Sequence, residues 1–199
     1  MPKQSARAQW AAQIKAGTVG KQKMVPEVLS GITKPFKGTI LGIDPSLRGT
    51  GLAVVVFTPP DTGSYVASET VSPLRKAGFP ECLGEISAAV ARLIKAYSPD
   101  AVAVEETIYV QNFQTAQKLG AARGAAIGQA ALLGIPVFEY PPLRIKQAVV
   151  GYGRASKEQV TRQVSGLLKL GRILPFDEAD AAAAALCHAL TKGRSGGVL

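Results

Sequence analysis

Three apolar runs near the start of the chain predict three consecutive strands. Residues 39–44 are apolar up to an acid that stands before Pro45, residues 52–57 are apolar throughout, and residues 64–71 alternate between polar and apolar positions. An apolar run closed by a proline is typical of a buried strand, and alternation is typical of a strand with one exposed face. Because only short turns rich in glycine, proline and polar residues separate the runs, they indicate an antiparallel meander.

The pattern then changes to helical spacing, with short apolar runs between the helices. Helical spacing is present over residues 81–97, 113–133, 143–150, 157–170 and 177–190. Residues 101–104 and 135–138 are short apolar runs that predict a fourth and a fifth strand. Strands joined through helices are parallel, so the chain predicts an α/β fold. Its sheet is expected to be mixed and five-stranded, antiparallel in the first three strands and parallel in the remainder, with helices on both faces.

The helix predicted over residues 113–133 contains a regular series of glycines. Gly120, Gly124 and Gly128 recur every four residues. Each glycine costs a helix roughly 1 kcal/mol relative to alanine, so close approach of another backbone is expected to compensate. That backbone belongs either to the core of the same chain or to a second subunit, and the sequence leaves both interpretations open.

Positive charge is concentrated at the start of the chain. The 199 residues carry a formal net charge of +9, which indicates a polyanionic partner. Residues 1–39 hold seven lysines and arginines against one acid, whereas residues 40–199 hold 16 against 13. We therefore predict a basic, flexible N-terminal extension over residues 1–38, a folded domain over residues 39–191 and a short C-terminal tail over residues 192–199.

Composition excludes several classes of protein. No apolar run is long enough to span a membrane, and the N-terminus lacks the apolar segment of a secretory signal. The only cysteines, Cys82 and Cys187, predict no disulfide framework and favour a reducing compartment. With His188 as the single histidine, a Cys/His zinc site lacks ligands, and His188 itself is expected to be structural.

Four carboxylates stand at the ends of predicted elements. Asp44 and Glu105 each close an apolar strand, at the edge where open α/β sheets bind ligands. Asp177 and Asp180 lie three residues apart on one face at the start of the last helix. Capping and the helix dipole explain an acid there when it is taken alone. Taken together in a basic chain, the four acids predict a Mg²⁺ site, and two such ions can drive phosphodiester hydrolysis.

Several stretches together resemble the RuvC family of Holliday-junction endonucleases, which have the RNase H-like fold. The matching stretches are ILGIDPSLRGTGLAVV, AVAVEE, QNFQTAQKLGAARGAA, IPVFEYPPLRIKQAVVGYG with the following ASKEQV, and DEADAAAAALCHA. They span roughly residues 39–190. The resemblance implies a Mg²⁺-dependent endodeoxyribonuclease, with two ions per site that Mn²⁺ can replace. It would resolve four-way junctions in recombination and repair by paired symmetric nicks that leave 5′-phosphate ends.

The resemblance also implies roles for residues at the matching positions. The expected catalytic and metal-binding acids are Asp44, Glu105, Asp177 and Asp180. Lys146 in RIKQ and Lys157 in ASKEQ match family lysines that face DNA near the active site. These six residues are therefore the candidate hydrolytic site.

Two further residues are candidate DNA contacts. The family often carries, just after its fourth-strand acid, an aromatic that stacks on a base at the crossover, and here either Tyr109 or Ile108 holds that position. Arg48, in the turn after the first strand, either contacts a phosphate or is solvated with the turn. The sequence does not choose between these alternatives.

Family resemblance extends to partners and location. It implies a homodimer that uses the region of the glycine-containing helix, branch-migration partners related to RuvA and RuvB, and a bacterial, cytoplasmic, nucleoid-associated location. The N-terminal extension departs from the family pattern. The main alternative is a related RNase H-like nuclease that acts on forks, flaps or RNA–DNA hybrids. A DNA-binding module without catalysis is a further alternative, against which the presence of all four acids argues.

Overall fold

Five strands and five helices follow one another in the part of the chain that the computed structural model describes, residues 35–60, 63–106 and 112–192. The strands are β1 (Gly38–Asp44), β2 (Thr50–Phe57), β3 (Ser64–Val71), β4 (Ala101–Glu105) and β5 (Val137–Tyr140). The helices are α1 (Phe79–Tyr97), α2 (Phe113–Leu132), α3 (Pro142–Val150), α4 (Lys157–Leu167) and α5 (Phe176–Lys192). None of these helices combines the length and apolar character needed to cross a membrane.

The strands form one mixed sheet, in the order β3-β2-β1-β4-β5. Strand β1 pairs with β2, and β2 with β3, in antiparallel fashion. Strand β4 is parallel to both β1 and β5. The predicted arrangement, antiparallel in the first three strands and parallel in the remainder, is confirmed. The order also places the two acid-bearing strands, β1 and β4, side by side in the centre of the sheet.

Helices cover both faces of the sheet, as predicted. Side chains of β1 alternate between the two faces, so Ile40 packs with α3, α4 and α5, whereas Leu41 and Ile43 pack with α1 and α2. The single histidine, His188, is buried on the α5 side, where its Nδ1 lies 2.9 Å from the hydroxyl of Tyr140. It is the structural histidine that the sequence predicted.

The fifth strand begins two residues later than the sequence predicts. Residues 134 and 135 cap the end of α2, because Gly134 adopts a left-handed φ of 73° and the Ile135 N–H donates to the carbonyl of Ala130. Pro136 has no N–H to pair, although its carbonyl accepts from the N–H of Val102. Regular pairing therefore starts at Val137.

Helix α4 ends three residues before the predicted position. Lys169 adopts a left-handed φ of 53°, and the Leu170 N–H donates to the carbonyl of Ser165 at 2.8 Å. This wrapping of the chain satisfies the last helical carbonyls and ends the helix at Leu167. The apolar spacing continued to Leu170 because that side chain packs partly buried against the core without being helical.

The glycines of α2 point away from the described part of the chain. Nothing lies within 4 Å of a Cβ placed at Gly120, Gly124 or Gly128. The buried face of α2 is formed instead by Ala122, Ala126 and Ala130. Within the described residues no backbone packs against these glycines, so the core interpretation finds no support there, and the interpretation as a subunit interface stays a prediction.

Candidate active site

Asp44 and Glu105 end neighbouring parallel strands. The pairing of β1 with β4 runs to Ile43 opposite Val104, so the next residue on each strand is one of the two acids. Neighbouring strands lie about 4.8 Å apart, which brings both side chains to the same carboxyl edge of the sheet. The convergence predicted from the strand ends is present in the structure.

Helix α5 brings two further carboxylates to this edge because two glycines let it touch the sheet. Gly51 pairs with Asp44 across β1 and β2, and a Cβ at Gly51 would overlap the carbonyl oxygen of Asp177. A Cβ at Gly42 would likewise overlap the carbonyl oxygen of Ala181. Only a strand position without a side chain admits a helix backbone this closely, and the contact sets the first turn of α5 beside Asp44.

Three of the four predicted acids and the two predicted lysines line one cleft of about 310 Å³. Its polar lining includes Asp44, Glu105, Asp180, Lys146 and Lys157. The apolar walls come from neighbouring positions of β1, α2, α3 and α4. Five of the six residues predicted for hydrolysis are thus brought together.

Asp177 lies at the rim of this cleft, outside the set of described residues that line it. Its Oδ2 would be 3.1 Å from a Cβ at Gly49, which places the carboxylate over the turn between β1 and β2. That turn is held by Thr50, whose Oγ1 accepts from the N–H of Ser46 at 3.1 Å. Asp177 therefore lies on the side of Asp44 opposite Glu105, and its negative charge contributes, after burial, to the raised pKa of Asp44.

The cleft has a deficit of positive charge. Burial, followed by repulsion from Asp180, raises the pKa of Asp44 from 3.8 to about 7. Burial, followed by repulsion from Asp44, raises the pKa of Glu105 from 4.5 to about 7. Burial also raises the pKa of Asp180, although Lys157 opposes the shift. A bound cation would relieve this repulsion.

Lys157 supplies a positive charge that is free to change partner. Its Nζ lies 3.3 Å from Oδ2 of Asp180, and its side chain is 62% exposed against 15% for Asp180. Attraction to Asp180 raises the pKa of Lys157, so the ammonium is charged at neutral pH. Asp180, in contrast, is largely buried, so loss of this partner would leave an unpaired carboxylate unless a cation replaced the lysine. The lysine can therefore exchange the carboxylate for a phosphate when a cation binds Asp180.

The raised pKa values predict a pH dependence of stability in the metal-free protein. In the folded protein the pKa values of Asp44 and Glu105 are about 7, against ordinary values of 3.8 and 4.5. Between these values the two groups bind more protons in the folded state than in the unfolded state. Their contribution to stability is therefore present below about pH 4 and is lost as the pH rises through 7. We expect the free energy of unfolding in EDTA to fall by at least about 2 kcal/mol between pH 5 and pH 8.

The matched control for this prediction is the double variant Asp44→Asn, Glu105→Gln. Urea unfolding of both proteins in EDTA at the two pH values measures the difference. The free energy of unfolding of the variant should change little between the two pH values, because its amides do not titrate. Mg²⁺ should restore stability at pH 8 only in the wild type. An equal decrease in the free energy of unfolding in the two proteins would show that Asp44 and Glu105 do not cause the pH dependence.

Comparison with known proteins decides the family. The family model described as "Crossover junction endodeoxyribonuclease RuvC" matches residues 40–188. The chain belongs to the RuvC family. It is 44% identical over 157 residues to the crossover junction endodeoxyribonuclease RuvC of Geotalea uraniireducens (strain Rf4), a match that covers 79% of this chain and 91% of that protein. It is 47% identical over 150 residues to RuvC of Paraburkholderia phytofirmans, covering 75% and 82%.

A solved RuvC structure has the same architecture. The structure described as T. thermophilus RuvC in complex with Holliday junction substrate matches with a TM-score of 0.74 and 36% identity, over 78% of this chain and 95% of that one. The predicted RNase H-like fold and the predicted class of endodeoxyribonuclease are confirmed. The uncovered part of this chain includes most of the N-terminal extension, since the family match begins at residue 40.

Arg48 of this RuvC-family chain holds a loop. Its NH1 donates to the carbonyl of Leu74 at 2.8 Å and its NH2 to the carbonyl of Ala77 at 2.9 Å, so the guanidinium links the β1–β2 turn to the segment before α1. A phosphate contact by the remaining N–H groups stays a prediction. Tyr109 and Ile108 lie outside the described residues, and the base-stacking assignment likewise stays a prediction.

Sequence reasoning missed one acid that lines the cleft and the contact made by an ordinary first-turn acid of α5. Glu106 also lines the cleft, and its N–H donates to the carbonyl of Tyr140 at 2.9 Å, which continues the β4–β5 pairing past the last strand residue. Glu178 accepts a hydrogen bond from Ser68 on β3 and so ties the first turn of α5 to the sheet. Each of these residues follows a predicted catalytic acid directly in the sequence, which was the available signal. Acids without a role at the site are equally common at strand ends and in first helical turns, so this signal is weak.

Proposed function

We propose that this chain resolves four-way DNA junctions by hydrolysing phosphodiester bonds in the cleft between β1, β4 and α5. The observation that carries the proposal is the convergence of four carboxylates and two lysines in one cleft of a RuvC-family chain. The structurally similar T. thermophilus protein is described in complex with a Holliday junction substrate. This relationship supports the four-way junction as the substrate over forks, flaps and RNA–DNA hybrids.

The residues present fit Mg²⁺, with Mn²⁺ as an effective substitute. Membership of a family of metal-dependent nucleases supports a divalent cation, and Asp44, Glu105, Asp177 and Asp180 would hold two ions. No three His, Cys, Asp or Glu side chains within the described ranges form a closed metal cage. Mg²⁺ does not need one, because it keeps several waters and binds through one or two carboxylates together with substrate phosphates. When bound, the ions supply an activated water and stabilise the leaving oxygen.

The chain's own side chains would orient the substrate. Lys146 and Lys157 flank the carboxylates in the cleft, where they would attract the phosphate next to the bond to be cleaved. Lys157 would exchange Asp180 for that phosphate, which leaves the Asp180 carboxylate for a cation. In-line attack of water at phosphorus would then give 5′-phosphate and 3′-hydroxyl ends.

We propose that the active form is a homodimer built on the glycine face of α2. Gly120, Gly124 and Gly128 present open backbone, and the helix carries a strongly exposed apolar residue at each end, Phe113 at 74% and Leu132 at 80%. Glycines spaced by four residues let two helix backbones approach closely, which would offset their cost in helix stability. Two cleavage sites in one dimer would account for paired symmetric nicks.

A bulky charge on this face should separate the subunits. We expect Gly124→Arg to raise the dimer dissociation constant by at least about 100-fold, because a long cation would be forced between the helices. Sedimentation velocity measures the change. A cruciform plasmid should then give mainly nicked circles in place of linear product.

Gly166→Arg is the matched control for that prediction. Gly166 is an exposed helical glycine with open space around it on α4, on the other face of the sheet. This variant should remain dimeric. Equal sedimentation of the two variants as dimers would contradict the proposed interface.

We also propose partners and a location for this protein from its family, and roles for its two terminal segments. Branch-migration proteins related to RuvA and RuvB are the proposed partners, and the bacterial nucleoid is the proposed location. We also propose that the basic extension, predicted over residues 1–38, acts as a phosphate clamp and that a separate tail, predicted over residues 192–199, follows the domain. Gly38 already begins β1 and Lys192 still ends α5, so the two segments are each one residue shorter than predicted. Residues 1–34 and 193–199 lie outside the described part of the chain.

A substrate panel tests the proposed function. Full-length protein is incubated with labelled mobile four-way junction, fork, flap, RNA–DNA hybrid and linear duplex, each with Mg²⁺ and with EDTA. We expect Mg²⁺-dependent, paired cleavage of the junction and at least about tenfold slower cleavage of every other substrate. Faster cleavage of the fork, flap or hybrid would favour the alternative nuclease, and cleavage in EDTA would overturn the metal assignment.

A further inference from the structure

The turn between α3 and α4 presents an aromatic ring and a guanidinium to solvent. This segment, residues 151–154, has the sequence Gly-Tyr-Gly-Arg and is called the GYGR turn below. Tyr152 is 46% exposed, and Arg154 is also exposed. Scattered exposed apolar residues are normal on a protein surface, so exposure alone assigns no role to Tyr152.

The GYGR turn is anchored at both ends. Gly151 adopts a left-handed φ of 92°, and its N–H donates to the carbonyl of Gln147 at 3.0 Å, which ends α3. On the other side Ala155 is buried, and the side chain of Ser156 caps α4 by accepting from the N–H of Gln159. The exposed ring is therefore carried by a short, well-supported turn, so little conformational entropy would be lost when it binds a ligand.

The same turn folds back toward the catalytic cleft. A Cβ at Gly153 would overlap the side chain of Leu143, in the first turn of α3. Leu143 directly follows Pro142, which lines the cleft, and Lys146 lines it one helical turn further on. The turn then leads into Lys157, the first residue of α4 and the ion-pair partner of Asp180. Tyr152 and Arg154 thus lie on the chain segment that connects the two lysines of the cleft.

An exposed aromatic on the chain segment between two cleft lysines matches the chemistry of nucleobases. Aromatic side chains stack on bases that are unpaired or splayed, and neighbouring arginines bind the backbone phosphates. We propose that the GYGR turn is a second DNA contact of this enzyme, in which Tyr152 stacks on a base at the junction crossover and Arg154 binds an adjacent phosphate. The proposal rests on the proposed function, because the cleft lysines must hold the same DNA.

Junction binding without cleavage tests the stacking contact. Fluorescence anisotropy with full-length protein in EDTA compares wild type with Tyr152→Leu, which keeps an apolar side chain without a π face, and with Tyr152→Phe, which keeps the ring. We expect Tyr152→Leu to raise the Kd for the junction about tenfold and the Kd for linear duplex, whose bases are already stacked, less than twofold. Tyr152→Phe should stay within twofold of wild type.

Controls come from the other face of the sheet. Tyr97 and Lys95 lie in the last turn of α1, packed on the face opposite α3 and α4. Tyr97→Leu should bind the junction like wild type. Arg154→Ala should lower the slope of log Kd against log salt by about 1 relative to wild type, and Lys95→Ala should leave it unchanged.

A second measurement reports the stack directly. A 2-aminopurine at the crossover should be quenched when wild type or Tyr152→Phe binds and should remain bright with Tyr152→Leu. Equal affinity and equal quenching for Tyr152→Leu and wild type would overturn the proposal, as would an equal loss for Tyr152→Phe and Tyr152→Leu. Failure of wild type to cleave the junction in Mg²⁺ would instead overturn the proposed function, so the two failures are distinguishable.

Discussion

Replacing Asp44 with asparagine will abolish junction cleavage while junction binding stays within about threefold of wild type. Asp44 lies at the centre of the carboxylate cluster, between Glu105 on β4 and Asp177 and Asp180 on α5. The amide has the same shape but cannot carry the negative charge that a divalent cation requires. We expect the single-turnover rate of cleavage in Mg²⁺ to fall by at least about 10³-fold.

Asp100→Asn is the matched control for this result. Asp100 lies at the other end of the sheet, where its Oδ2 accepts from the N–H of Thr39 at 2.7 Å. This substitution changes an exposed residue outside the cleft and keeps a side-chain oxygen that can accept from Thr39, so cleavage should stay within about twofold of wild type. Cleavage by Asp44→Asn at more than a tenth of the wild-type rate would remove Asp44 from the catalytic set.

Replacing Gly51 with alanine will damage both stability and cleavage, although Gly51 bears no functional group. Its Cβ would overlap the carbonyl oxygen of Asp177, so the first turn of α5 must move off the sheet. We expect the free energy of unfolding to fall by about 3 kcal/mol, as for an overpacked core. Cleavage should fall by at least about 100-fold in protein that is still folded, because the α5 carboxylates shift relative to Asp44.

Gly166→Ala separates this effect from a general effect of glycine replacement. Gly166 lies in α4 with open space around it, so alanine should be neutral or stabilise the helix by up to about 1 kcal/mol. Urea unfolding and cleavage at a temperature where each protein is folded measure both quantities. Wild-type stability and cleavage in Gly51→Ala would show that α5 does not depend on this contact.

Local periodicity was sufficient for most of the secondary structure. Strand β3 occupies the predicted residues 64–71, and β4 ends at the predicted Glu105. The errors occur where one residue decides the outcome against the apolar pattern. Pro136 delays β5, and the left-handed Lys169 follows the early end of α4. Hydrophobicity does not report either effect, because one depends on a missing N–H and the other on a backbone angle.

Two features of the site could not be read from periodicity. Gly42 looked like an ordinary strand glycine and Gly51 like a turn glycine, and their role appears only once α5 crosses β1 and β2. Likewise Glu106 is a cleft residue whereas Asp177 lies at the rim, although sequence position alone favours neither arrangement. Both outcomes depend on contacts between residues far apart in the chain, such as Gly51 with Asp177.

Residue order alone was enough to predict the α/β class, the strand-end acids and the resemblance to the RuvC family. These are local properties, set by side-chain period and by residue type at the ends of elements. Tertiary contacts determine which acids share a cleft and that Lys157 pairs with Asp180. They also turn the glycines of α2 away from the rest of the described chain. The physical reason is that strand order and helix crossing bring together groups that no local pattern relates. The pKa values of Asp44 and Glu105 follow from that same burial and proximity.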